Sequence, residues 1–224
     1  MVAEVVVGRR GRQSPINSMR VLAAAEGLKR YWRLVGWLGV CAGFLILSFY
    51  SVVAGWSVAY IFEVGGGAFA SGTAATSEQS FSDLTGSASN LLVWHTLFMV
   101  MVIGVVARGV QGGLEKAVKW LMPALFILLI TMVAYAVVAG DFTTALKYLF
   151  EPDFSKITGS TVLAALGQAF FSLSLGMGSI IVYGAYLSKE TSIIQTTFII
   201  GAVDTLVAVL AGLAIFPIVF AYGL

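Results

Sequence analysis

The chain has 224 residues, of which 59% are hydrophobic and 11% are charged, and its mean hydropathy is +0.95. A soluble domain carries about 25% charged residues, so this composition excludes a water-soluble globule and predicts an all-α integral membrane protein. The net charge of +2 gives no reason to expect a nucleic-acid partner. One cysteine and one histidine exclude an internal disulfide and argue against thiolate or histidine metal sites.

The apolar stretches predict five membrane crossings within a single transmembrane domain, because a spanning helix needs about 20 mostly apolar residues. Residues 1–33 are predicted to form the end of a helix and a basic cytoplasmic segment. The predicted crossings are 34–62, 91–107, 114–140, 161–188 and 191–221, with outer loops at 63–90 and 141–160. The first loop is rich in Gly, Ser and Thr, which predicts irregular structure for much of it. In the second loop, the residues before Pro152 predict a short amphipathic helix.

The distribution of lysine and arginine predicts the orientation of these crossings. Seven basic residues and one acid lie between Arg9 and Arg33, whereas residues 63–90 hold three acids and no basic residue. Continuing along the chain, eleven of the thirteen basic residues fall on one side. We therefore expect a multi-pass protein of the plasma or inner membrane with residue 1 on the cytoplasmic side. Trp32 and Trp37 are expected at the height of the interface.

The fourth crossing is interrupted by small polar residues in its middle. Ser172, Ser174, Gly176 and Gly178 fall within AFFSLSLGMGSIIVY, and a helix there is expected to unwind around Ser174–Gly176. In lipid, freed backbone groups are tolerated where they line a cavity, and the broken ends then offer carbonyls to a cation and N–H groups to a carboxylate. The same small residues also fit simple close packing of helices.

Four further residues stand out because polar or helix-breaking groups are unusual inside crossings. Asp204 is the one ionisable residue in the interior of a predicted crossing, which marks either a functional site or a protonated acid shared between helices. Gly113 and Pro123 weaken the helix at the start of the third crossing. This end is then either easy to unwind or bent by an ordinary proline kink. Tyr50 places a hydroxyl in mid-membrane, where it needs a polar partner.

Taken together, several segments resemble the neurotransmitter:sodium symporter family in its bacterial branch. They are GRRGRQSP, LSFYSVVAGW, GLEKAVKWLMP, FEPDFSKIT, GQAFFSLSLGMGSIIVYGAYL and DTLVAVLAGLAIFP. The resemblance covers the whole chain and implies part of the LeuT-type fold, which has two inverted five-helix repeats. On that map the chain begins at the end of helix 2 and its five crossings are helices 3 to 7. The remaining helices of the full-length protein would then be partners that this chain lacks.

The resemblance also implies roles for residues that match the family motifs. Substrate-binding positions are expected at Ile46, Tyr50, Phe171, Ser172, Ser174 and Met177. Sodium or chloride positions are expected at Gln168, Ser172 and Asp204, with Na⁺ held by Ser172 and Asp204. Gating positions are expected at Tyr186, Gly113 and Pro123.

Asp204 departs from the better-known family pattern, in which asparagine often occupies this place. Chloride-independent relatives carry a glutamate one turn further on, where this chain has Ala208. We therefore expect Asp204 to supply the negative charge itself, so that Na⁺ is required and Cl⁻ is not.

The function implied is sodium-coupled symport of an amino acid, or a related small amine or zwitterion, into the cell by alternating access. A fragment of five crossings is expected to be inactive alone. Two alternatives remain: a truncated regulatory or assembly partner of a full-length transporter, and an ion channel or another secondary transporter. An enzyme is not expected, because the crossings hold no set of nucleophile, base and orienting group.

Overall fold

The computed structural model describes residues 1–67 and 74–223, except for the side chains of residues 74–76 and 111. The described part is built from helices and contains no β-strand. Ten α-helices follow one another: α1 Val2–Gly11, α2 Pro15–Ala25, α3 Arg33–Gly65, α4 Ala74–Gly86, α5 Ala88–Val106, α6 Glu115–Ala139, α7 Phe142–Phe150, α8 Gly159–Ser172, α9 Ser179–Tyr186 and α10 Ile193–Ala221. The chain divides into two compact units, one made of residues 1–43 and 122–224 and the other of residues 44–121.

Four helical stretches of the described chain are long and apolar enough to cross a membrane. They are Arg30–Gly65, Ala88–Val106, Gly112–Ala139 and Ile193–Ala221. Their apolar side chains are mostly exposed, as expected of helices that face lipid or further protein. The remaining predicted crossing, 161–188, is divided between α8 and α9, so the predicted interruption of its helix is confirmed. The protein is therefore an all-α membrane protein, and the helical segment formed by α8 and α9 is discontinuous.

In the first unit, α1 and α9 pack so closely that glycine is required at their crossing. A Cβ on Gly8 would overlap the carbonyl oxygen of Ile181, and a Cβ on Gly184 would lie 2.7 Å from the carbonyl oxygen of Val5. Val5 and Ile181 are each 7% exposed beside this contact. Small residues allow backbones in lipid to approach closely and gain van der Waals contact. This packing holds α9 against α1.

The same unit joins α6, α7 and α10 at a second close contact. Asp141, which begins α7, donates its backbone N–H to the carbonyl oxygen of Pro217 in α10 at 2.9 Å. The ring of Tyr148 lies 4.9 Å from that of Phe216 and 5.4 Å from that of Phe220, measured between centroids. The predicted short helix before Pro152 is confirmed as α7, and its apolar face packs on α10.

In the second unit, the expectation of irregular structure for much of 63–90 is wrong, because α4 occupies residues 74–86. Its apolar residues decide the outcome: Leu84 is 4% exposed, and the ring of Phe81 meets Trp56 edge-on at 5.5 Å. Ser80 donates its hydroxyl to Glu63 at 2.7 Å. Tertiary packing therefore overrides the weak helix propensity of this Ser- and Thr-rich segment.

Candidate functional site

The candidate site is the interruption between α8 and α9, residues 173–178, which we call the helix break. At its start, Ser174 donates its N–H to the Phe171 carbonyl at 3.0 Å, and Leu175 donates to the Phe170 carbonyl at 2.9 Å. These two bonds form a Schellman motif, which satisfies carbonyls at the end of α8. The helix can therefore end without a proline, because the N–H groups of Ser174 and Leu175 satisfy its last carbonyls.

The backbone of the break turns through the left-handed region three times. Gly176 has φ +79° and Gly178 has φ +76°, values that glycine adopts without strain. Ser174 has φ +53° although it carries a side chain, which costs about 1–2 kcal/mol. The Ser179 hydroxyl donates to the Ser174 carbonyl at 3.3 Å across the break. A strained serine at a predicted substrate position is a typical feature of a functional site.

A carboxylate from α1 contacts the break. Glu4 Oε1 accepts the N–H of Gly176 at 2.8 Å, and Oε2 is buried with no hydrogen-bond partner among the described residues. Glu4 also lines a cavity of about 180 Å³ together with Gly36, Gly39 and Gly176. The Glu4 carboxyl group therefore accepts a backbone N–H of the break, a hydrogen bond that stabilises the turn at Gly176.

The start of α3 forms another wall of the same region. A Cβ on Gly39 would lie 3.1 Å from the carbonyl oxygen of Gly176 and 3.2 Å from the carbonyl carbon of Met177. A larger residue at position 39 would push the break away from α3. The close approach of the two backbones therefore favours glycine at position 39.

Ser172 and Asp204, predicted as the sodium ligands, are in contact in the structure. Ser172 is the last residue of α8, and its hydroxyl donates to Asp204 Oδ2 on α10 at 2.5 Å. A hydroxyl and a carboxylate are hard oxygen donors of the kind that suit a hard cation. Within the described chain there is no group of three or more His, Cys, Asp and Glu able to hold a metal ion. The donor set fits Na⁺ better than a transition metal.

The other predicted residues of the break and its helices have different surroundings. Gln168 lies one turn before Ser172 on α8 and is exposed. Phe171 is 42% exposed, and it interacts with another group of the chain. Met177 lies in the break beside Gly39, and Tyr186 ends α9 with 63% of its surface exposed. Their binding and gating roles stay predictions.

Ile46 and Tyr50 lie one turn apart on α3 within the second unit, Ile46 half-buried and Tyr50 51% exposed. Tyr50 already has an interaction within the chain. Their predicted place in the substrate site is a proposal rather than a finding.

The predicted weak point at Gly113 coincides with a departure from α-helix. Gly113 belongs to a π-helical turn, Val110–Leu114, which follows Gly109 at φ +77°. A Cβ on Gly113 would overlap the carbonyl oxygen of Val105. Pro123 lies inside α6, which continues unbroken around it. Single π-turns are frequent at functional sites, and the gating role of Gly113 and Pro123 stays a prediction.

Two residues of the site, Glu4 and Gly39, were not identified from the sequence. Glu4 is the charged residue of the apolar run VAEVVVG. A single acid in an apolar segment is a candidate functional residue, and it could have been identified on that ground. Gly39 belongs to a series with Gly36 and Gly43 along one face of α3, a pattern that indicates close packing without naming the partner.

Comparison with known proteins finds that this chain is similar to sodium-dependent transporters. A profile of the sodium:neurotransmitter symporter family matches residues 69–222. Over its full length, the chain is 38% identical to an uncharacterised sodium-dependent transporter of Haemophilus influenzae and 37% identical to one of Bacillus subtilis, covering 50% and 49% of those proteins. Over 56% of its length it is 30% identical to the sodium-dependent nutrient amino acid transporter 1 of Drosophila grimshawi, covering 19% of that protein.

The chain thus spans about half the length of the curated relatives with which it aligns over its full length. The family profile covers more than half of the chain and includes the helix break, α10 and Asp204. The chain belongs to the sodium:neurotransmitter symporter family.

Proposed function

We propose that this chain is the part of a sodium-coupled symporter that supplies one side of the substrate and sodium sites. The observation that carries the proposal is the contact of Ser172 with Asp204 at the end of α8. It brings a hydroxyl and a carboxylate from two apolar helices to the point where the backbone of the helix break becomes irregular. In a membrane, such a polar group marks an ion or substrate pathway.

The substrate we propose is an amino acid or a related small amine or zwitterion. The support is twofold: the name of the Drosophila relative mentions a nutrient amino acid transporter, and the chemistry of the break suits a zwitterion. The α8 end presents the carbonyl pole of a helix and α9 begins with an N–H pole, which attract a cation and an anion respectively. Ser174 and Phe171 would then position the substrate between these poles.

Each residue has a distinct part in the proposed site. Ser172 and Asp204 would hold Na⁺, which supplies positive charge for the substrate carboxylate. Glu4 fixes the break by accepting the Gly176 N–H, and Gly113 with Pro123 weakens the start of α6 so that this end can open. Tyr186 at the end of α9 would close the inner side.

The first experiment measures uptake of radiolabelled amino acids into cells that express a complete transporter containing this chain. We expect uptake with external Na⁺ and none when K⁺ replaces it. Uptake that is equal in both solutions would contradict sodium coupling. Ion current without any substrate would instead indicate a channel.

The second experiment tests whether Asp204 replaces chloride. With gluconate in place of chloride, we expect the wild-type transporter to keep its uptake, because Asp204 supplies the negative charge. We expect Asp204→Asn to lose uptake in gluconate and to regain part of it in chloride. A strict chloride requirement of the wild type would contradict the proposal. Thr205→Val on the same helix is the control, since the Thr205 hydroxyl donates only to Gly201 within α10.

A further inference from the structure

We propose that the segment Leu28–Arg33 is a binding site for the headgroup of an anionic phospholipid. This segment, LKRYWR, joins α2 to α3 and contains a single 3₁₀ turn, Arg30–Trp32. Three of its six residues are basic, and none of the six is acidic. We call it the basic turn.

The basic charge of the surrounding face is only partly neutralised within the chain. Among the seven basic residues at positions 9–33, Arg10 pairs with Glu26 at 2.7 Å and Arg9 donates to the Thr191 carbonyl at 2.7 Å. The other five have no ion pair or side-chain hydrogen bond within the described residues: Arg12, Arg20, Lys29, Arg30 and Arg33. The three in the basic turn are consecutive or nearly so, which concentrates positive charge at one point of the chain.

Apolar surface lies beside Lys29 in the same segment. Leu28, Tyr31, Trp32 and Val35 line an open cavity of about 460 Å³ together with Lys29. Leu28 and Trp32 also border a smaller cavity of about 170 Å³, whose other walls come from α1, α2 and Glu26, the acid that pairs with Arg10. Tyr31 is 72% exposed and Trp32 is 47% exposed, although aromatic rings normally avoid water unless they lie at a membrane interface.

The combination identifies the ligand class. Arginine and lysine bind phosphate groups by charge and hydrogen bonding, whereas the apolar cavities suit the first carbons of an acyl chain. The first turn of α3 contains no acid, so its N-terminal dipole adds to the attraction for an anion. A free phosphate would bind the basic residues and leave the aromatic side chains in water. A phospholipid contacts both the basic residues and the apolar surface, and it therefore fits the site better.

The experiment uses the 224-residue chain in micelles of a neutral detergent and measures binding of fluorescent phosphatidylglycerol, with phosphatidylcholine as the neutral lipid. Each basic residue at an anionic surface contributes about a fivefold preference. We therefore expect the variant K29Q/R30Q/R33Q to bind phosphatidylglycerol at least tenfold more weakly. The variant R108Q/K116Q/K119Q removes the same charge from the other basic cluster and is expected to bind as the wild type does.

Equal losses in the two triple variants would overturn the proposal, since binding would then follow total charge alone. Displacement of the lipid by inorganic phosphate at millimolar concentration would also overturn it, because the ligand would then be phosphate itself. If the first triple variant loses helical circular dichroism, a salt titration of the wild-type chain replaces it. We expect binding of phosphatidylglycerol to weaken steeply with salt, and binding that is indifferent to salt would refute the role of the basic turn.

Discussion

Pro217 and Gly176 lie in two apolar segments of the same unit, yet only the segment around Gly176 is broken. α10 continues through Pro217 to Ala221, although proline removes a backbone donor and normally kinks a helix. The stretch from Leu173 to Gly178 contains no proline and leaves the helix altogether. The presence of proline alone therefore does not predict which of the two segments is broken.

The backbone groups at the two places have different hydrogen-bond partners. Pro217 lacks an N–H and therefore frees the carbonyl of Leu213, whereas the Pro217 carbonyl itself accepts the Asp141 N–H from the α6–α7 corner. At the helix break, the Schellman bonds satisfy the end of α8, while the Glu4 carboxylate takes the Gly176 N–H. A helix in lipid can break only where each freed group has a partner. At the helix break, donors within the break and the Glu4 carboxyl group of α1 therefore stabilise the irregular backbone.

The largest expected effect comes from the packing that holds α9 in place beyond the break. Gly8→Ala would force a Cβ into the Ile181 carbonyl, and overpacking of this kind costs about 1–3 kcal/mol or more. We expect a lower free energy of unfolding in detergent and separation of α1 from α9. Gly201→Ala is the matched control in open space on α10, where alanine is expected to be neutral or slightly stabilising. Equal effects of both variants would contradict the packing account.

Next in size is the removal of the carboxylate that contacts the break. Glu4→Ala deletes the acceptor of the Gly176 N–H, and a hydrogen bond to a charged group contributes about 1.5–3 kcal/mol. We expect faster hydrogen exchange at the Gly176 amide and lower stability, with Glu4→Gln intermediate because an amide oxygen still accepts. Glu151→Ala serves as the control on an exposed acid. Unchanged exchange at Gly176 in Glu4→Ala would show that the break needs no support from α1.

A smaller effect of opposite sign is expected at the strained serine. Ser174→Gly removes the left-handed strain at φ +53° and should stabilise the chain by about 1 kcal/mol. Ser160→Gly in the first turn of α8 is the control and should destabilise, because glycine weakens a helix at an ordinary φ. Thermal unfolding of both variants in the same detergent decides the sign. If Ser174→Gly destabilises the chain, the Ser174 side chain contributes more to the stability of the fold than the backbone strain at this residue removes.

The smallest effect concerns Asp141, at the corner that supports Pro217. Its pKa lies below the ordinary value because the Thr144 hydroxyl donates to the carboxylate, with the Thr144 backbone N–H as the next cause. A lowered pKa in the folded state contributes stability at pH values above the unfolded pKa, and that contribution disappears as pH falls through the folded pKa. We expect the Asp141 carboxyl in Thr144→Val to titrate nearer its ordinary value by NMR. Asp153, whose pKa is lowered chiefly by the Ser155 hydroxyl, should not change.

Sequence alone located the parts of the fold that depend on composition and on single unusual residues. Apolar length predicted the long helices, Ser174 and Gly176 predicted the break, and a lone acid marked Asp204. It missed α4 because that helix depends on the burial of Leu84 and on the contact of Phe81 with Trp56 rather than on propensity. It missed Glu4 because the contact joins residues 172 positions apart, and no local pattern records such a contact.

The contact of Ser172 with Asp204 is the centre of the functional account, and sodium titration of a complete transporter containing this chain tests it most directly. Ser172→Ala and Thr205→Val each remove one hydroxyl from an apolar helix, but only Ser172 reaches Asp204. Loss of a residue that orients or completes a cation site typically costs about 10- to 100-fold in affinity. We expect Ser172→Ala to raise the half-saturating Na⁺ concentration for uptake by about tenfold or more, with Thr205→Val unchanged. Equal sodium dependence in the two variants would contradict the assignment of a sodium site to Ser172 and Asp204.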